Sequence, residues 1–185
     1  REFLALGAYD FAAGSFTVIA AEDGGDIESP VMCGGRYLAF LVNNAGFDTL
    51  KVRDLQRNRD VATPPLPDGV LSISCARGAA RLAVRVSAHD APGDVYVWDV
   101  GARAAQRIYE SNLAGLSSGD FVKPVSLTMP ARDGVILQGL LYMPAGLAAG
   151  ERPPVLFEVH GGPTAQSKAG YSGATQYHVA RGVAV

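Results

Sequence analysis

The chain has 185 residues, 48% of them apolar and 18% charged, with a net charge of −2. It holds enough apolar material for a sizeable core, which excludes a disordered chain, and it carries no overall basic field to attract nucleic acid or anionic lipid. Gly 22 and Pro 11 make it dense in turns, so short elements are expected.

The N-terminal segment carries Glu2 and Asp10 where a secretory signal needs a basic, acid-free start. Arg36 to Val42 then reads as a short apolar strand, the turn-rich Asn43-Asn44-Ala45-Gly46 follows, and Thr49 to Asp54 alternates as a second strand. Arg81 to Val86, a loop holding Pro92-Gly93, and Asp94 to Val100 repeat that order. The offset is 44 residues from Leu38-Ala39 to Leu82-Ala83 and 45 from Val52-Arg53-Asp54 to Val97-Trp98-Asp99. Each unit closes with one more strand, Val61 to Thr63 in the first and Gln106 to Tyr109 in the second. A four-stranded antiparallel unit recurring at about 40–45 residues is the pattern of β-propeller blades. A poorer third copy begins at Phe3 to Leu6 and continues through Phe16 to Ala20. Three blades do not close a ring of about four to eight. The same strands would also suit a two-sheet β-sandwich.

Cys33 and Cys75 are too few and too far apart for a disulfide scaffold or a four-ligand zinc site. Both are read as small buried hydrophobes with free thiols, and a cytoplasmic setting is the corresponding expectation. Trp98 and Tyr96 share one face of their strand and are expected to pack within or between blades. Asp10, Asp23 and Asp26 fall in turn-rich stretches, where Asp caps turns through its own backbone. His89 lies in a polar loop and is expected to be solvated.

From about Ser118 the pattern changes. Pro124 to Met129, the turn Arg132-Asp133-Gly134, and Val135 to Met143 read as a hairpin. The apolar run from Gly134 to Gly150 is broken by Gln138 and Pro144, so it does not span a bilayer. Val155 to Val159 is a β-branched and aromatic run of the kind buried in a mixed or parallel sheet. A polar stretch follows, then a helix over Ala174 to Arg181, with Gly182 at its left-handed end and Val183-Ala184-Val185 opening another strand. Hairpin, strand, loop, helix and strand together read as the start of an α/β sheet. His178 falls on that helix and is expected to pack or lie at the surface. The chain reads as an internal piece of a longer protein.

His160-Gly161-Gly162-Pro163 directly after the run Val155 to Val159 is the motif that bears chemistry. Paired glycines at the carboxyl end of a strand admit positive φ and bring bare N–H groups close to a ligand. A loop of this HGG type supplies an oxyanion donor in α/β-hydrolases; a tight turn without catalytic meaning fits the tetrapeptide as well. Gly170-Tyr171-Ser172-Gly173-Ala174 approaches a G-x-S-x-G elbow but has Ala174 at the last position and no strand feeding it. Ser172 is therefore expected to cap the following helix. Nothing matches metal-ligand spacing, a P-loop or a dinucleotide fingerprint, and no cofactor or metal is expected.

The stretches Val125 to Pro144, Pro154 to Gln166 and Tyr177 to Val185 together resemble the opening of the hydrolase domain in the prolyl oligopeptidase family of serine peptidases, especially its acylaminoacyl-peptidase and dipeptidyl-peptidase-like branches. The resemblance covers roughly residues 120–185. That family places a β-propeller immediately before its hydrolase domain, in agreement with the repeat. It implies residues 1–118 as a partial propeller of about three blades and 119–185 as the N-terminal part of an α/β-hydrolase domain. It further implies that His160, Gly161 and Gly162 line the oxyanion side of the site, and that the Ser, Asp and His of the triad lie beyond Val185. The prolyl-cleaving branch carries a tyrosine where His160 stands, so the donors here would be mainly backbone N–H groups, and strict post-proline specificity is not implied. Where many family blades turn on Trp-Ser-Pro-Asp-Gly, this chain has Val31 to Gly35 and Ile73 to Gly78.

The implied function is hydrolysis of short peptides through an acyl-enzyme, with the propeller gating access. The implied partners are a peptide substrate and the remainder of the same polypeptide, without nucleic acid or membrane; a homo-oligomer is compatible with this reading. Two alternatives stay open: a carboxylesterase or lipase sharing the HGG loop, and a non-catalytic propeller interaction module.

Overall fold

The computed structural model describes residues 3–162 and 164–185, so Pro163 of the glycine motif lies outside the described residues. The chain opens with a hairpin of β1 (Leu6–Asp10) and β2 (Ser15–Ala20). Next comes a four-stranded antiparallel sheet of β3 (Asp26–Cys33), β4 (Tyr37–Asn44), β5 (Phe47–Asp54) and β6 (Arg59–Val61). A second has β7 (Val70–Cys75), β8 (Arg81–Ala88), β9 (Ala91–Asp99) and β10 (Gln106–Tyr109). In both sheets the strands pair in chain order and no strand crosses to the other sheet. Each sheet is thus complete before the next begins, unlike the exchanging connections of a sandwich.

The period-2 alternation of β4 explains the layering. Ala39 and Leu41 face the second sheet, where they join Leu50, Val52, Leu71, Leu82, Val84, Val86 and Trp98 in one buried cluster. Leu38, Phe40 and Val42 face the opposite way, against Leu6, Ile19 and Ala20 of the first hairpin. Trp98 is fully buried and donates its indole N–H to the Ala102 carbonyl (2.8 Å), as a buried indole requires.

Four details differ from the sequence expectation. The cysteines are not free: Cys33 and Cys75 form a disulfide, with Cα atoms 5.5 Å apart and 42 residues between them in sequence. They close β3 and β7, the first strands of adjacent sheets, so packing of the two repeats brings together residues that are distant in the chain. The bridge removes the premise of free thiols from which a cytoplasmic setting was expected. Asp26 opens a strand, and its carboxylate accepts the Leu4 N–H (2.7 Å); Asp10, as expected, caps its own turn through Ala12 and Ala13. Pro92-Gly93 lies inside β9, because the turn is made by His89-Asp90 alone. The Pro92 carbonyl instead accepts from Arg85 (2.9 Å).

Val155 to Val159, finally, is not a buried strand. Only Val155 makes a bridge, parallel, to Ala184, and Phe157 and Val159 are 80% and 88% exposed. Strand side chains point to the faces rather than to the paired edge, and among the described residues these faces are left largely uncovered, so the apolar side chains stay exposed.

The second region holds a 3-10 turn at Ser118–Asp120, the hairpin of β11 (Val125–Pro130) and β12 (Ile136–Leu141), and helix α1 (Gly173–Ala180). No helix among the described residues is long and apolar enough to cross a membrane.

Candidate functional site

The backbone around the glycine motif is fixed at its base. Leu156 donates to the Ala184 carbonyl (2.8 Å) and Ala184 to that of Pro154 (2.9 Å). Tyr142 and Val185 exchange both backbone hydrogen bonds (2.8 and 3.0 Å). Residues 183–185 therefore lie between Tyr142 and the segment 154–156, and Ala184 is fully buried there. Burial pushes the Tyr142 phenol up, and the nearby Glu158 carboxylate adds to the shift.

Beyond that base the chain rises into the open. His160, Gly161 and Gly162 are all exposed, and His160 Nδ1 lies 3.1 Å from its neighbour Gly161's carbonyl oxygen. Gly162 has φ +79°, a conformation that only glycine adopts without strain. A Cβ at Gly161 would meet nothing within 4 Å. Among the described residues neither glycine N–H donates to another group. The three residues thus form an open backbone turn with two donors available to a ligand.

The segment after the motif returns to the blades. Gln166 Oε1 accepts from Asn43 (2.6 Å), and Lys168 Nζ donates to Glu28 (2.7 Å) and Asp48 (3.4 Å). Ala169 donates its N–H to the Gly46 carbonyl (2.8 Å), and Tyr171 donates its own to Ser87 Oγ (3.0 Å). Asn43, Gly46 and Asp48 belong to the β4–β5 hairpin and Ser87 to β8, so this short segment touches both sheets. No sequence signal marks Lys168, Glu28 or Asp48, because the partners of Lys168 are 120 and 140 residues distant in the chain.

Ser172 is the N-cap of α1. Its Oγ accepts from the Thr175 N–H (3.2 Å) and hydroxyl (2.8 Å). At the other end, Gly182 (φ +82°) donates to Val179, and Val183 donates to His178, which closes a Schellman motif. Gln176 is buried on the inner face of the helix and exchanges two hydrogen bonds with the Val122 backbone (2.8 and 2.9 Å). His178 is half-buried on the same helix. His89 is also half-buried and lies 3.5 Å from Asp90. Among the described residues no histidine hydrogen-bonds a serine, threonine or cysteine side chain, so no nucleophile–base pair is assembled.

No family model matches this sequence, and no curated protein does. Solved structures do match. A puromycin hydrolase superposes with a TM-score of 0.79 at 19% identity, over 99% of this chain and 29% of its own. A prolyl endopeptidase gives 0.83 at 15% identity, over 97% of this chain and 27% of its own. A puromycin-hydrolyzing peptidase of Mycobacterium tuberculosis gives 0.73 at 18% identity, over 93% and 28%. The chain spans less than a third of the length of each. At these identities the likeness is one of fold: the antiparallel sheets of this chain match the propeller of peptidases of the prolyl oligopeptidase family.

Proposed function

We propose that this chain is part of a serine-type oligopeptidase of the prolyl oligopeptidase family, in or near its acylaminoacyl-peptidase and dipeptidyl-peptidase-like branches. In this reading residues 1–118 are propeller blades that gate access to short peptides, and 119–185 begin an α/β-hydrolase domain. The observation that carries it is the open turn at Gly161 and Gly162, whose N–H groups donate to no other group among the described residues, in a chain that superposes on such peptidases over almost its whole length.

The chemistry assigned to the turn is electrostatic. Attack on a peptide carbonyl places negative charge on its oxygen, and fixed backbone N–H groups stabilise that charge without reorganising. His160 precedes the donors and contributes no hydroxyl, so the backbone carries the role. The serine, its base and the acid orienting that base are assigned to polypeptide beyond Val185. This agrees with the unassembled histidines and with the greater length of the matched structures.

Substitution of Gly161 by valine in the full-length protein is the test. A side chain there meets no neighbour, so folding is expected to be unaffected. Its bulk would instead keep a substrate oxygen from reaching the N–H groups, and kcat on acyl-aminoacyl or aminoacyl anilides is expected to fall by roughly 10²–10³, as when a donor is lost. Unchanged turnover would remove the oxyanion role. Faster turnover of p-nitrophenyl esters than of any anilide would favour an esterase instead.

A further inference from the structure

We propose that Lys168 is a positioning residue: it fastens the outgoing arm of the His160–Gly162 turn to the propeller and so sets where the two glycine N–H groups stand. The catalytic part of this inference rests on the function proposed above; the fastening does not.

Lys168 Nζ lies between Glu28 Oε2 (2.7 Å) and Asp48 Oδ1 (3.4 Å), on β3 and β5 of the same blade. The Asp48 side chain is only 1% exposed. Its other oxygen already accepts the Leu71 N–H (2.9 Å) from the next sheet. Removing the ammonium would leave a buried carboxylate with one backbone donor, which is costly. Burial raises the pKa of Asp48. The same burial works against the charge on Lys168, yet the two carboxylates hold its pKa above the ordinary range.

The surface that receives the arm is shaped for it. Ala45 and Gly46 form the two-residue turn between β4 and β5, both with positive φ (50° and 88°). Asn43, itself buried, accepts from the Gly46 N–H (3.1 Å) and gives its amide to Gln166 and Glu28. The Gly46 carbonyl then receives Ala169. A Cβ on Gly46 would lie 3.1 Å from the Ser167 carbonyl oxygen, so the turn and the arm are in close backbone contact. Only three residues separate Gly162 from Gln166. At no more than about 3.6 Å per residue, that tether holds the glycine turn within a short radius of the blade.

The experiment compares the wild-type full-length protein with K168M/D48N, which removes both charges and spares the fold a lone buried carboxylate, and with K168R. Hydrogen exchange and anilide kinetics are read together, with Gly161→Val as a reference. In K168M/D48N the amides of residues 166–171 are expected to exchange roughly tenfold faster, with β8 protection unchanged. kcat should fall while KM moves little, and K168R should restore both. Unchanged exchange over 166–171 would overturn the proposal. So would faster exchange with full kcat in an enzyme that Gly161→Val inactivates. If Gly161→Val is itself fully active, the oxyanion role fails on that variant alone, and the exchange result still decides whether Lys168 fastens the arm.

Discussion

Asp54 accepts a two-point hydrogen bond from Arg36 across the ends of β4 and β5, and the same pair recurs 45 residues later as Arg81 with Asp99. In both copies the arginine precedes its aspartate by 18 residues, the length of one hairpin. The copies differ in burial: the Asp54 side chain is 3% exposed and that of Asp99 62%. Asp54 also accepts the N–H groups of Gln56 and Arg57 (3.1 and 3.2 Å), so it organises the next turn as well. Exposed ion pairs contribute little, and the first copy is expected to matter more.

That difference sets an acid response. The Arg36 guanidinium beside Asp54 lowers the carboxyl from 3.8 to about 2. A depressed folded pKa stabilises above the unfolded value and is lost as pH falls through the folded one. Stability should therefore drop between about pH 4 and pH 2, and Asp54→Asn should flatten that part of the profile. Thermal melts across the interval check this, with Asp99→Asn as the variant expected to change it less.

The Cys33–Cys75 bridge joins adjacent blades over a separation of 42 residues. On the chain-entropy account a loop of that length contributes about 4 kcal/mol. Cys33→Ala/Cys75→Ala, or reduction of the wild type, should lower the melting temperature by a matching amount. A reductant that leaves the melt unchanged while thiol titration shows two free cysteines would refute the role.

Trp98 fills the layer between the two sheets. Trp98→Ala should cost about 3–5 kcal/mol through the cavity it leaves. Trp98→Phe should cost less, chiefly the donor lost to the Ala102 carbonyl, about 1–3 kcal/mol. Denaturant melts of the two variants give the comparison.

Ala45 occupies the left-handed region, where a non-glycine residue is strained. Ala45→Asn should raise stability by roughly 0.5–1 kcal/mol, since asparagine favours this turn position, while Ala45→Val should lower it. Equal melts for all three would mean that the turn carries no strain.

Ser172 is engaged as a helix cap through Thr175. Incubated with a fluorophosphonate, the 185-residue chain should not label, whereas the full-length protein should label once. An adduct on Ser172 would overturn the assignment of the nucleophile to a position beyond Val185.

Much of the fold was legible because strand alternation is local. Arg36 to Val42 and Arg81 to Val86 carry their pattern in a few residues, and the helix announces itself through Ser172 and Gly182. The first strand of each four-stranded sheet, β3 and β7, is not legible in the sequence. β3 contains Glu28, Ser29 and Pro30, and Ser29 even adopts positive φ, so its alternation is interrupted. The disulfide and the Lys168 cluster were illegible for a different reason: each depends on how whole sheets stack, which no local window contains. The exposed run Val155 to Val159 shows the opposite failure, an apolar pattern whose burial partners are absent among the described residues.

β4 is apolar on both faces: among the described residues one face packs on the sheet of β7–β10 and the other on the β1–β2 hairpin. A meander needs only short-range closure, so every sheet can zip up from its own hairpins without waiting for distant segments. The middle sheet, however, gains its full protection only when both neighbours have docked. Assembly is therefore a nearest-neighbour process. In the 185-residue chain by itself, fraying should begin at β1 and β10 and reach β4 last.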